Sequence, residues 1–211
     1  MPLPTIAGAV RCTFSGLCAG GGAWSNTFHI RRIDLGAPTD AEITTAASLF
    51  SDFYTAAYVP YSVAATTLTK ADFVRLDGTS GGLAFSWGHV GGDTANPTLP
   101  PECAGVLTIR TAIRGRQNRG RVFMPPATQG SLTVGKFTAG YASAVVSAAA
   151  TLRSALLGAD WELGVGSYGP YKNPTTGITD STGGGTTSPH FTACTTVTMD
   201  VLVDVIRSRK N

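Results

Sequence analysis

Charged residues are scarce in this chain. Only 14% of its 211 residues are Asp, Glu, Lys or Arg, whereas a soluble domain usually carries about a quarter. Hydrophobic residues make up 43%, so few charges are left to keep copies of the protein apart. Weakly polar surface of this kind usually becomes an interface. We therefore expect the protein to assemble into a homo-oligomer.

Cysteine patterns and long apolar runs are also missing. The four cysteines, Cys12, Cys18, Cys103 and Cys194, lack both the CxxC spacing and the histidine partners of a metal or redox site. We interpret them as free thiols in a reducing compartment. No window approaches the length of about 18 apolar residues that spans a bilayer, and the N-terminal residues lack a signal-peptide pattern. These absences predict a soluble, unexported protein with no membrane contact.

Most of the chain has the alternating pattern of β-strands, and residues 1–211 are expected to form a single domain. Ile6–Phe14 and Trp24–Ile30 alternate on either side of a glycine-rich segment, which predicts an antiparallel hairpin. About eight strands are counted in all. The others are centred on Asp72–Leu76, Leu83–Trp87, Val106–Ile113, Val122–Met124, Trp161–Val165 and a last strand that begins near Thr196.

Two amphipathic helices interrupt the strands. Thr39 and Glu42 have the spacing of a capping box, and an apolar stripe follows, which predicts a helix over residues 40–58. A second helix is predicted from about Thr138 to Leu157, ending at Gly158. Each half of the chain therefore has the order strand, strand, helix, strand, although the residues themselves do not repeat.

The most distinctive stretch is Arg110–Pro126, RTAIRGRQNRGRVFMPP. A predicted strand precedes it, and a short apolar run closed by two prolines ends it. The arginines are therefore expected on the connection between two strands. The candidate site residues are Arg110, Arg114, Arg116, Arg119 and Arg121.

Three roles are open for these arginines. Their guanidinium groups could bind carboxylates or carbonyl oxygens of a neighbouring subunit, or phosphates of a packaged nucleic acid. The third role is that of a solvated loop which protects a sheet edge from aggregation. The net charge of only +3 favours the subunit contact. A secondary basic patch is expected from Arg31, Arg32, Arg207, Arg209 and Lys210.

The loop at 166–190 is the other unusual segment. Gly166–Pro189 consists mostly of Gly, Thr, Ser, Tyr and Pro, and a loop of this length is usually functional or part of an interface. We expect it to be an assembly or surface loop.

No enzymatic activity, cofactor or metal is expected. Gly78–Gly82 has the Gly-x-Ser-Gly-Gly form of a serine-protease turn around Ser80, but His29 and Asp52 are poorly placed to complete a triad. Gly164–Gly169 matches GxGxxG, yet a proline follows where a helix should begin. A zinc site would need a more compact ligand spacing than that of His89, Asp93 and Glu102.

The order of several short motifs resembles that of small virion structural proteins of phages and environmental viruses. These motifs are Trp24–Asn26, Leu99–Pro101, Arg110–Pro126 and the final Asp204–Arg209. The resemblance implies a jelly-roll-like antiparallel β-sandwich. It also implies a self-assembling capsid protein, made in the host cytoplasm and located in the virion, with other virion proteins or packaged nucleic acid as further partners.

Two alternatives remain open. One is a connector, tail or decoration protein of a tailed phage, which would assemble into a ring instead of a closed shell. The other is a carbohydrate-binding β-sandwich, in which exposed aromatic rings stack on sugars. The aromatic residues available for that role are Trp24, Trp87, Tyr168 and Tyr171.

Overall fold

The computed structural model describes residues 6–17, 23–58, 67–87, 105–113, 116–124, 139–167 and 190–200. The described residues form nine strands and two helices, and every pair of neighbouring strands is antiparallel. The predicted β-rich, antiparallel class with two helices is confirmed. The elements are β1 (Ala9–Leu17), β2 (Ala23–Arg32), α1 (Asp40–Tyr58), β3 (Thr67–Arg75), β4 (Gly82–Ser86), β5 (Gly105–Ile113), β6 (Arg116–Met124), α2 (Ala139–Gly158), β7 (Trp161–Ser167), β8 (His190–Ala193) and β9 (Thr196–Asp200).

Six strands form the larger sheet, in the order β4-β3-β1-β2-β7-β8. The predicted hairpin of β1 and β2 is confirmed, and its register places Cys12 opposite Phe28. Because side chains alternate along a strand, one face of the hairpin carries buried apolar residues such as Phe14 and Ile30. This inner face packs against the helices, and the opposite, outer face carries Arg11 and His29.

Helix α1 begins where its capping box predicts. The backbone N–H of Thr39 donates to Glu42 Oε2 at 2.8 Å, and the backbone N–H of Glu42 donates to Thr39 Oγ1 at 3.3 Å. The predicted apolar stripe is buried on the inner face of the larger sheet. The ring of Phe14 lies 4.9 Å from that of Phe50 and 5.1 Å from that of Tyr54. These aromatic contacts fix the helix against the sheet.

Helix α2 packs against α1 and also contacts β5, β7 and β9. It begins and ends within one residue of the predicted bounds. Gly158 is still helical, and the left-handed residue is Asp160, with φ 61°. Asp160 donates its N–H to the carbonyl oxygen of Leu157, and β7 starts at the next residue. Aspartate tolerates this conformation because its side chain is short and polar.

The remaining strands form a three-stranded sheet in the order β6-β5-β9. Its residues Leu107, Ile109 and Val122 belong to the same buried cluster as the helices and the larger sheet. Gly120 brings β6 close to β7, since a Cβ atom there would lie 3.2 Å from Val165 Cγ2. Neither sheet closes on itself among the described residues.

Two predicted loops are shorter than the sequence indicates. Strand β6 begins at Arg116, so only positions 114 and 115 separate it from β5. Most of the arginine block therefore lies in a strand and not on a connection, which corrects the prediction. Strand β7 likewise runs to Ser167, and His190 begins β8. In both cases pairing with another strand overrides weak local strand propensity. The rest of the predicted 166–190 loop lies outside the described residues.

Candidate functional site

The register of β5 and β6 gathers the candidate arginines on neighbouring strands. Arg110 is directly opposite Arg119, and Arg121 is directly opposite Thr108. Residues opposite each other in an antiparallel pair have Cα atoms about 4.5–5.5 Å apart. We call Arg110, Arg119 and Arg121 the arginine ladder. Arg116 is at the start of β6, opposite Ile113, and Arg114 lies outside the described residues.

The ladder lies at the edge of a sheet. Strand β6 is the terminal strand in the order β6-β5-β9, and an edge strand presents backbone N–H and C=O groups to a further strand. The register therefore places two arginines opposite each other, beside an edge that can pair with a further strand.

The backbone of β5 at Arg110 is held by hydrogen bonds. The carbonyl oxygen of Arg110 accepts a hydrogen bond from the N–H of Thr195 at 3.1 Å and another from its hydroxyl at 3.3 Å. Arg153 on α2 donates from Nε to the carbonyl oxygen of Cys194 at 2.8 Å. The residues that connect β8 to β9 thus tie the ladder strand β5 to helix α2.

The described part of the secondary basic patch is compensated inside the chain. Arg31 pairs with Glu162 at 2.9 Å, and its guanidinium lies 4.7 Å from the ring centre of Phe191. Arg32 pairs with Glu42 at 2.8 Å and also with Asp34 and the ring of Trp161. Arg31 and Arg32 therefore join β2 to β7, β8 and α1. The other members of the patch, Arg207, Arg209 and Lys210, lie outside the described residues.

The ion pair of Arg32 belongs to the capping network of α1. Hydrogen bonds from the backbone and hydroxyl of Thr39, together with the cation of Arg32, hold the pKa of Glu42 below its ordinary value. The hydrogen bond with Asp34 raises the pKa of Arg32. This network orients α1 on the sheet and has no spare charge for a ligand.

The sequence analysis missed Arg11. It stands directly opposite His29 on the outer face of the larger sheet. Burial, and then the nearby cation of Arg11, lower the pKa of His29 to about 4. The sequence did show an arginine at an outward-facing position of an alternating strand whose other residues are mostly apolar. Its significance depends on the hairpin register, which the glycine-rich connection does not reveal.

The geometry gives no support to a serine protease. Ser80 lies in the exposed turn between β3 and β4, where Asp77 accepts a hydrogen bond from the N–H of Thr79 at 2.9 Å. His29 is on the outer face of the larger sheet, whereas Asp52 is on α1, which covers the inner face. The sheet therefore separates the residues that a triad would need to bring together.

The structure describes some of the residues of the other candidate ligand sites. Gly164 and Gly166 lie in strand β7, so the described portion of the GxGxxG motif opens no helix. Trp87 packs with its ring centre 5.5 Å from that of Phe14, as a core residue would. The described residues contain no group of three metal-ligating side chains. His89, Asp93, Glu102, Tyr168 and Tyr171 lie outside them.

Two of the four cysteines are described, and both are buried free thiols, as predicted. These are Cys12 on β1 and Cys194 before β9. Burial raises the pKa of each thiol, most strongly that of Cys12. Neither is poised to react as a thiolate.

Comparisons with protein families, with curated proteins and with solved structures find no match for the chain. In the described part of the chain, neither helix is long and apolar enough to cross a membrane. The candidate site is therefore defined by its geometry and by the sequence pattern.

Proposed function

We propose that the protein is a virion structural protein whose copies assemble into a capsid. The observation that carries this proposal is the pairing of Arg110 with Arg119 at the edge of the three-stranded sheet. The low charge of the chain and the resemblance of its motifs to small virion proteins support it further. In such a protein the main partner is a second copy of the same chain, and the location is the virion.

The arginine ladder serves as a contact with the neighbouring copy. Planar guanidinium groups bind carboxylates and carbonyl oxygens with two hydrogen bonds at once, and both acceptor types are present on any subunit. Asp52 is an exposed carboxylate on α1, and the edge of β6 offers backbone groups for strand pairing.

A jelly-roll-like β-sandwich remains the fold expectation that accompanies this proposal. Two antiparallel sheets that contribute to one apolar core support it. In a shell, one edge or face of such a unit meets the next subunit, and β6, as an edge strand, suits that role.

The test is the double variant Arg119→Ala with Arg121→Ala, which removes both ladder residues of β6, compared with Lys70→Ala. Lys70 is an exposed cation on the larger sheet that already pairs with Asp72 at 3.0 Å, so the control removes charge away from the ladder. We expect the double variant to fold, as judged by circular dichroism, but to form no particles under the electron microscope. Lys70→Ala should assemble as the wild type does.

Two other outcomes assign the ladder differently. Normal particles with reduced nucleic-acid absorbance would overturn the subunit contact and give the arginines the phosphate role. Normal particles with unchanged nucleic-acid content would show that the ladder has neither role.

Rings or tubes formed by the wild-type protein would favour the connector or tail class over a closed shell.

A further inference from the structure

The outer face of the larger sheet carries a cluster of basic side chains that the assembly contact does not use. Arg11 on β1 is directly opposite His29 on β2, and Arg31 follows His29 two residues later on the same face. Four of the residues next to them in sequence are buried on the inner face, so strand alternation directs the three side chains outward. The buried neighbours are Val10, Cys12, Phe28 and Ile30.

Each member of this cluster holds a nitrogen atom that lacks a hydrogen-bond partner among the described residues. The atoms are Arg11 Nε, His29 Nε2 and Arg31 Nε, and all three are shielded from solvent. Buried polar atoms almost always have a partner, and an unpaired one is costly. Three such atoms side by side indicate an acceptor that the described residues do not supply.

The charges around the cluster leave an excess of cations. Glu162 on β7 pairs with Arg31 at 2.9 Å, while no ion pair in the described part of the chain reaches Arg11. On the other side, Asp72 of β3 is already paired with Lys70. His29 is neutral near pH 7, because burial and the neighbouring cation lower its pKa. An added anion would compensate the charge of Arg11 and favour the protonated imidazole of His29.

Small residues lie beside the cluster on the outer face. Gly164 of β7 is directly opposite His29. Along the hairpin the next outer-face pairs are Thr13 with Thr27 and Ser15 with Ser25. A strip of hydroxyl-bearing residues thus continues from the basic cluster, and it suits a chain of phosphates better than a single ion.

We propose that Arg11, His29 and Arg31 bind a phosphate group of a single-stranded nucleic acid on the outer face of the larger sheet. The guanidinium of Arg11 contributes the charge-assisted hydrogen bonds, His29 donates or becomes protonated, and Arg31 is held in place by Glu162. The proposal deepens the proposed function, because it gives a packaged nucleic acid a surface distinct from the arginine ladder, and to that extent it rests on that function.

The test measures binding of a dye-labelled single-stranded oligothymidylate to the purified full-length protein by fluorescence anisotropy. We expect Arg11→Gln to weaken binding at least tenfold and to lower the slope of affinity against salt by about one phosphate contact. The control Lys70→Gln, on the same face but compensated by Asp72, should change affinity by less than twofold. Arg11→Lys, which keeps the charge but loses the planar fork, should lie between the two and guards against a folding defect.

A separate arm distinguishes the two sources of phosphate. Inorganic phosphate should compete with the oligonucleotide in the wild type. If phosphate raises the melting temperature of the protein but the oligonucleotide does not bind, the site takes a small phosphate and the nucleic-acid assignment is overturned. If Arg11→Gln binds the oligonucleotide as tightly as the wild type, the cluster is not the site.

The binding test does not depend on assembly. Oligonucleotide binding that requires Arg11 in a protein that forms no particles would leave this site intact and overturn the capsid proposal. If the protein forms particles but shows no oligonucleotide binding that depends on Arg11, the capsid proposal would stand and this binding site would be overturned.

Discussion

Arg110 on β5 stands directly opposite Arg119 on β6, at the edge of the three-stranded sheet. The chain has only 14% charged residues, and yet two of its arginines are directly opposite each other. Arg11 and His29 form a second basic pair on the larger sheet. Our two proposals assign a subunit contact to the three-stranded sheet and a nucleic-acid contact to the larger sheet.

Removal of the capping hydroxyl of α1 should destabilise the protein. Thr39→Ala removes the acceptor for the N–H of Glu42, and we expect the free energy of unfolding to fall by about 1 kcal/mol. The control is Thr45→Ala, since the exposed Thr45 hydroxyl bonds only to the carbonyl oxygen of Ala41 within the helix. Urea unfolding followed by circular dichroism measures both. Equal stabilities for the two variants would mean that the cap contributes nothing.

Substitution by alanine should have opposite effects on stability at two glycines. A Cβ atom at Gly82 would lie 2.6 Å from the carbonyl oxygen of Phe73, a backbone atom that cannot move without disturbing the β3–β4 ladder. We expect Gly82→Ala to lower the free energy of unfolding by about 1–3 kcal/mol.

Gly158 is the matched position, because a Cβ atom there has no neighbour within 4 Å. Gly158→Ala should leave stability unchanged or raise it by up to about 1 kcal/mol, since alanine is the better helix residue. Thermal unfolding of the two variants distinguishes them. A Gly82→Ala protein as stable as the wild type would contradict the close approach of β4 to β3.

Stability should depend on pH through His29. Its pKa is lowered from 6.5 to about 4 in the folded protein, so between these pH values the unfolded chain binds the proton and the folded protein does not. The free energy of unfolding should therefore fall as the pH decreases from 6.5 towards 4. Glu162, Arg31 and Arg11 are the charged groups that face His29 from its own and the neighbouring strands.

The check is urea unfolding at pH 7 and pH 5 for the wild type and for His29→Gln. The variant should lose less stability than the wild type on acidification. Saturating oligonucleotide should also reduce the loss in the wild type, because a bound phosphate raises the pKa of His29. The same pH dependence in both proteins would show that His29 is not the group that titrates.

The parts of the fold that depend on local sequence were predictable. Helix α1 follows from the capping box of Thr39 and Glu42 and from its apolar stripe, which are all within a few turns of one another. The hairpin of β1 and β2 follows from alternation around a glycine-rich segment. In such patterns, the residues that determine the structure are close together in the sequence.

The parts that depend on strand pairing were not predictable. Gln117 and Asn118 have little strand propensity, yet they extend β6 because β5 pairs with them. The significance of Arg11 depends on its partner across the hairpin. The left-handed Asp160 lies where the chain passes from α2 into β7. The candidate site shared this limit, since the arginines were visible in the sequence but their register was not.

The central claim is tested most directly by negative-stain electron microscopy of the purified protein, with the ultraviolet absorbance ratio measured on the same fraction. We expect closed particles of uniform size, with an absorbance ratio that shows packaged nucleic acid. A uniform monomer without nucleic acid would contradict both the assembly contact at the arginine ladder and the capsid function.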